Sequence, residues 1–371
     1  MDITYKLPHP VRIRCTAQLE HKNDTVNGMY DVILSDLDLE SLSLDCLANI
    51  AIQRSPQLWQ HFLSQSATKH NAFIGVSSAI MPYKFNKLDG NILTTSNKVD
   101  KLLLETDIGD DIPIAYLRPP FKTCFIEFTE DRVSPIKVYN EETHEHTLEG
   151  VYITETTIQP EDDAMKILKD APEVDETKEV RVLDLMFVGS PLGKAHVEDD
   201  ALRVQGFYIQ DNSITIKSEL DRIVNLYGND QDFTGDINYL SDGLNHMAKV
   251  LLFMNCKQYR DTAFNERKEI LKKISSLKSP AKIKKYDKKL RKSYDRLVIK
   301  PEDHIVYEKV SKDKKHSDGH SPKKAHWRKG HFRMQPFGPG ATKRKVLFIE
   351  PTIVGGVFAK SKPYNVREKV I

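Results

Sequence analysis

VRVLDLMFVG, residues 180–189, is a short apolar run with acidic sequence before it and Gly189, Ser190 and Pro191 at its end, and it reads as a β-strand. Three more runs of this kind lie around it: FKTCFIEF at 121–128, LEGVYITE at 148–155 and LRVQGFYIQ at 202–210. Acidic, Pro- or Gly-bearing loops separate them, the loosest being Gln159 to Glu179. Strands that follow one another without long intervening helices favour an antiparallel meander over a doubly wound parallel sheet. The expected class is α+β: an antiparallel β-meander packed against C-terminal helices, with a basic C-terminal segment ending in a strand.

Helical spacing appears on both sides of these runs. Leu39, Leu42, Leu47 and Ile50 form an apolar stripe, and Pro56 opens a second short helix through Leu58, Trp59, Phe62 and Leu63. Downstream, Ser218 stands as an N-cap before Leu220, Ile223, Val224 and Tyr227, with Gly228 as the stop. A longer helix is expected over 242–277, its Met247, Val250, Leu251 and Met254 facing the sheet. Ser279 and Pro280 break it. The next helix, 281–297, carries Ile283, Tyr286, Leu290, Tyr294 and Leu297 on one stripe among lysines and arginines, which suits either a hairpin with its predecessor or contact with nucleic acid. The chain then divides into a helical lead-in (1–110), an α+β core (111–300), a basic flexible linker (301–325) and a terminal motif with the final strand (326–371).

An apolar content of 39% over 371 residues supports an ordinary core. The opening MDITYKLPHP has no apolar run of the secretory kind, and the longest such run, Val250 to Met254, is far short of the roughly 20 residues that cross a membrane. A cytoplasmic protein without a membrane partner is the expectation. Cys15, Cys46, Cys124 and Cys256 are scattered with no C-x-x-C pair, so reduced structural thiols are expected and no thiolate metal site. The net charge of +2 conceals an asymmetry: residues 257–371 hold 32 bases and 12 acids, a net of +20, while residues 1–256 hold 23 bases and 41 acids, a net of −18. Such a field suits a polyanion or an acidic partner, or a fold in which the two parts neutralise each other.

The chemistry-bearing residues cluster in PKKAHWRKGHFRMQPFGPGATKRKVLFIEPTIVGG, 322–356. His326 and His331 flank Trp327, Arg328, Lys329 and Gly330, and Phe332 and Arg333 follow. Two imidazoles five apart can serve as acid and base on a phosphodiester, with Arg328 and Arg333 stabilising the developing charge. The plainer role is hydrogen bonding and packing beside the last strand, and it is preferred. His304, His316 and His320 match no zinc spacing, and neither metal nor cofactor is called for. Gly338, Pro339 and Gly340 make a tight turn, and no G-K-[ST] follows to make it a phosphate loop. Lys343, Arg344 and Lys345 lead into Val346 to Ile349, a strand stopped by Pro351 that can join the meander.

This tail resembles that of a phage- and plasmid-borne family that includes a type V-A anti-CRISPR protein. In that family a His-x-Arg-Arg-Gly-His-aromatic segment precedes a glycine turn and a last strand ending in proline. The matching residues here are His326 to Phe332, Gly338 to Gly340 and Phe348 to Pro351, with Lys329 in place of the second arginine. Upstream features follow in similar order, from Ile112 and Pro113 through the strands to the helix near Val250. The resemblance implies a binding protein that lowers production of a type V CRISPR effector by recognising its nascent polypeptide. His326, Trp327, Arg328, Lys329, Gly330, His331, Arg333, Gly338 and Gly340 are the expected binding residues, with RNA or the ribosome as a further partner. The alternative is an RNA-binding or RNA-cleaving protein using His326, His331 and Arg328.

Overall fold

The computed structural model describes residues 7–13, 28–128, 136–140, 144–168, 174–190, 201–228, 237–256, 259–290, 293–301 and 326–354. Its strands, in chain order, are β1 (Asn91–Thr95), β2 (Thr106–Ile108), β3 (Thr123–Glu127), β4 (Lys137–Asn140), β5 (His144–Ile158), β6 (Val180–Ser190), β7 (Ala201–Ile209), β8 (Tyr259–Asn265), β9 (Asp295–Pro301), β10 (His326–Arg328), β11 (Gly330–Phe337), β12 (Lys343–Ile349) and β13 (Thr352–Val354).

The main sheet runs β7-β6-β5-β3-β1-β9-β8, with β4 beside β5. The four runs expected to be strands are β3, β5, β6 and β7, and each pairs antiparallel with the next. The α+β class holds, but the sheet is mixed, because β1 lies parallel to both β3 and β9. β1 falls within the stretch read as helical. Its five residues, NILTT between two helices, carry too little alternation to stand out.

Both faces of the sheet are covered, which is why β6 reads as a nearly continuous apolar run, interrupted by Arg181 and Asp184. Leu183, Leu185 and Phe187 point to one face and share a core with Ile223, Met247 and Leu251 of the Ile216–Gly228 and Ile237–Asn255 helices. Met186 and Val188 point to the other, where Leu47, Val76 and Ile80 come from the Leu44–Arg54 and Lys69–Lys87 helices. The acidic insert contributes a third, smaller cluster: its Asp163–Leu168 helix buries Ala164, Met165 and Leu168 beside Cys46 and Val180.

Local capping follows the sequence closely at the N-terminal helices. Ser43 accepts from Cys46 N, and Ser55 caps the helix that Pro56 opens. Leu39 and Leu42 precede the first of these helices, while Leu47 and Ile50 lie within it. Farther on, the cap is Thr215, whose Oγ1 accepts from Ser218 N at 3.2 Å, so the helix starts at Ile216, ahead of Ser218. The helix expected over 242–277 is two helices, Ile237–Asn255 and Glu266–Ser275, with β8 between them. The helix expected over 281–297 ends at Leu290, and Leu297 belongs to β9. Pairing with β1 decides that case, because it buries Val298 and Ile299 in the sheet.

Cys46 and Cys124 are buried and Cys256 is partly so, all three unpaired; burial pushes the Cys46 thiol up to about 11 and the Cys256 thiol up to about 12. Thiols held this far from ionisation are poor nucleophiles. Cys15 lies outside the described residues. Among the described residues no helix is long and apolar enough to cross a membrane.

Candidate binding surface

The final strand does not enter the meander. β11 and β12 form an antiparallel hairpin, and β11 also lies parallel to β2, making a separate sheet in the order β12-β11-β2. Cross-strand register sets the two faces. Phe332 faces Phe348 and Met334 faces Val346 on the inner side, all four packed into the main core. Phe253 of the Ile237–Asn255 helix meets Phe348 edge-on, with centroids 5.5 Å apart. Further anchors hold the backbone: Gly330 N donates to Glu105 O at 3.1 Å, Tyr116 Oη to Arg344 O at 3.4 Å, and the Cys256 thiol to Val346 O at 3.8 Å.

With the inner face sealed, alternation presents His331, Arg333, Gln335 and Phe337 outward, opposite Ile349, Leu347, Lys345 and Lys343. Arg333, Phe337, Lys343 and Lys345 are exposed. Lys345 Nζ sits 5.6 Å from the centre of the Phe337 ring, a ring that is 41% exposed. Asp107 lies beside His331 in β2, and its carboxylate is 4.0 Å from Lys329 Nζ. That exposed pair bridges the acidic and basic parts of the chain without neutralising either. The outer face is therefore cationic, with an aromatic ring and two half-buried aliphatic side chains among the charges.

The glycines of the motif serve the shape of this surface. A Cβ on Gly330 would come within 2.6 Å of Thr106 Oγ1 and 2.8 Å of Pro351 Cδ, so only glycine lets β2, β11 and the chain after β12 come together. Gly338 and Gly340 have φ of 81° and 64°, the left-handed region that lets the five-residue tip reverse the chain. All the tip residues are exposed.

His326, Trp327 and Arg328 form β10, paired with β13 in the register His326–Val354, Trp327–Ile353 and Arg328–Thr352. Arg328 and Lys329 are exposed. The two histidines thus stand in different sheets, with His331 flanked by Ile349 and Asp107. His304, His316 and His320, and residues 302–325 of the expected linker, lie outside the described residues. Among the described residues no group of three His, Cys, Asp or Glu side chains is placed to hold a metal ion.

A second surface escaped the sequence. β8 borders the main sheet, pairs with β9 alone among the described residues, and exposes side chains 261 to 265. Arg296, across from Phe264 in register, lies 5.5 Å from the Phe264 ring and 5.2 Å from the Tyr294 ring. An open edge of this kind can take an extended peptide as a further strand. The signal was present in YRDTAFN, where aromatic residues and Thr stand ahead of Asn265 at the helix start, but the longer apolar helix before it masked the change of period.

The family model of the anti-CRISPR type V subtype A2 family, described as AcrVA2-like, matches residues 94–356. That span takes in most of the main sheet, the helices on one of its faces and the whole tail hairpin. No curated protein and no solved structure matches the chain. The match extends over well over half of the sequence, and the chain belongs to the AcrVA2-like anti-CRISPR family.

Proposed function

We propose that this anti-CRISPR protein lowers the production of a type V CRISPR effector by binding that effector's polypeptide as it is made. The outer face of the tail hairpin is the contact surface in this reading. The observation that carries it is a presented face of mixed cationic and apolar character, anchored by Phe332 and Phe348 and lying inside the residues matched to the family. Arg328, Lys329 and Arg333 supply charge, Phe337 supplies an exposed aromatic anchor, and Trp327, His326 and His331 complete the neighbourhood in sequence. Gly330, Gly338 and Gly340 set the shape on which these residues sit. Aromatic and arginine side chains are the usual energetic centres of protein contacts, which favours this face over the surrounding surface. The role is binding, in the host cell cytoplasm, on behalf of a phage or plasmid.

The test is a cell-free translation reaction programmed with a type V effector message and containing the tagged protein. Recovery of effector nascent chains by the wild type, and their loss with Arg333→Glu in a folded protein, supports the reading. Recovery of no effector polypeptide contradicts it.

A further inference from the structure

We infer that the helical hairpin of residues 266–290 binds the phosphate backbone of RNA. The inference goes beyond peptide capture and rests on a different surface. The hairpin is inserted between two paired strands: β8 runs directly into the Glu266–Ser275 helix, and the Pro280–Leu290 helix returns to β9. Asp295 fixes its first turn, accepting from Arg267 N at 2.8 Å and Lys268 N at 3.2 Å. It contributes almost nothing to the core. Ile270 is the buried residue of the first helix, and the second has none.

The two helices share a seam with each other. Ile270, Ile274 and Leu277 recur at spacings of three and four along one, and Ile283, Tyr286 and Leu290 along the other, and the last five of these are half-buried. Lys273 Nζ lies 5.2 Å from the Tyr286 ring centre across that seam. Turning 100° per residue from the seam places Lys284, Lys285 and Lys288 on the far side of the second helix, and Lys268 and Lys272 on the far side of the first. All five are exposed. Residues 266–290 hold nine lysines and one arginine against three acids, a net of +7.

This charge is left uncompensated. The hairpin's own ion pair is Lys289–Glu266 at 3.9 Å, and among the described residues none ties a hairpin base to the acidic first 256 residues. The Tyr286 hydroxyl registers the field: Lys273 donates to it and, with the charges of Lys285 and Lys289, draws its pKa below the ordinary tyrosine value. A protein partner needs an apolar centre to bury, and Leu271 is the one large apolar side chain exposed on the helices. A nucleic-acid backbone needs only a continuous positive surface. At the foot of the hairpin, a groove of about 210 Å³ is lined by Arg267, Lys268, Tyr294 and Arg296, with the carboxylates of Asp89 and Asp295 also in its lining. The exposed Phe264 ring, beside the Arg296 guanidinium, offers a flat surface on which an unpaired base stacks.

The experiment is fluorescence anisotropy of the full chain with a labelled single-stranded RNA of about 20 nucleotides, titrated between about 50 and 200 mM salt. Five phosphate contacts predict a slope of log affinity on log salt near −3.5, at roughly 0.7 per contact. The triple variant Lys284→Glu, Lys285→Glu, Lys288→Glu is expected to bind at least about tenfold more weakly and to lose about 2 from that slope. Arg333→Glu on the tail is expected to leave RNA affinity unchanged, which separates this surface from the peptide site. No wild-type binding at the lowest salt, or equal binding by the triple variant, overturns the inference. So does equal affinity for polyglutamate, which would assign the hairpin to an acidic protein. If the glutamate variant fails to melt cooperatively, the corresponding Lys→Gln triple variant carries the same test with the same expected loss of slope.

Discussion

Phe332 and Phe348 face each other across the tail hairpin with ring centroids 4.9 Å apart, and both are buried beneath the helix that carries Phe253. This contact turns a basic tail into a surface with a fixed orientation. Phe332→Ala empties a fully enclosed site, so a loss of about 3–5 kcal/mol is expected, read as a large fall in the midpoint of urea unfolding. An effect below about 1 kcal/mol would mean that the hairpin is not packed on the core.

Phe337→Ala probes the opposite face of the same strand. Its ring is exposed, so stability should move by no more than about 0.5 kcal/mol while affinity for the effector polypeptide falls about tenfold or more. Unchanged affinity, measured on the purified protein with effector-derived peptide, would remove the outer face from the proposed site.

Gly330→Ala places a methyl group against Thr106 and Pro351, both of which belong to the frame around the motif. Overpacking of this order costs about 1–3 kcal/mol. The companion substitution Thr106→Ser leaves Oγ1 in place and should not rescue it, whereas Thr106→Ala removes that oxygen and should recover part of the loss. Equal stability of Gly330→Ala and wild type by thermal melt would argue against the close approach of β2 and β11.

Asp184, wholly buried on β6, accepts from Leu44 N at 2.7 Å and from Thr154 Oγ1 at 3.3 Å. Burial pushes its carboxyl up to about 6 from an ordinary 3.8, with the nearby Lys84 charge opposing. A raised pKa means that the folded protein holds this proton more tightly than the unfolded chain. Its stabilising contribution is full below pH 3.8 and is lost as pH rises through about 6. Asp184→Asn removes the titration, so the stability of the variant relative to wild type should climb across that window. A difference that stays flat with pH would show that Asp184 does not titrate there.

The parts of the fold legible in the sequence were those where one pattern ran unopposed. β3, β5, β6 and β7 stood out as apolar runs, and Pro56 marked a helix start where the structure has one. β1 and β8 did not stand out. Each is short, and β1 earns its place at the sheet's centre from long-range pairing with Cys124 and Leu297 that no local pattern encodes. The tail motif was visible as residue types, but its two faces were not. Phe332 and Phe337 differ only in the parity of their positions, and the register with β12 decides that one is core and the other surface.

Purified protein should also leave RNA intact, including under conditions where it binds. RNA cleavage that disappears with His331→Ala while binding persists would instead favour an acid–base role for His326 and His331.

Polypeptide capture is tested by crosslinking the tagged protein to ribosomes that are translating a type V effector and identifying the crosslinked polypeptide. Capture by polypeptide recognition predicts that the wild type crosslinks to the nascent effector and that a folded variant carrying Arg328→Glu and Arg333→Glu does not. Crosslinks that are absent, or that persist equally in the variant, would contradict it.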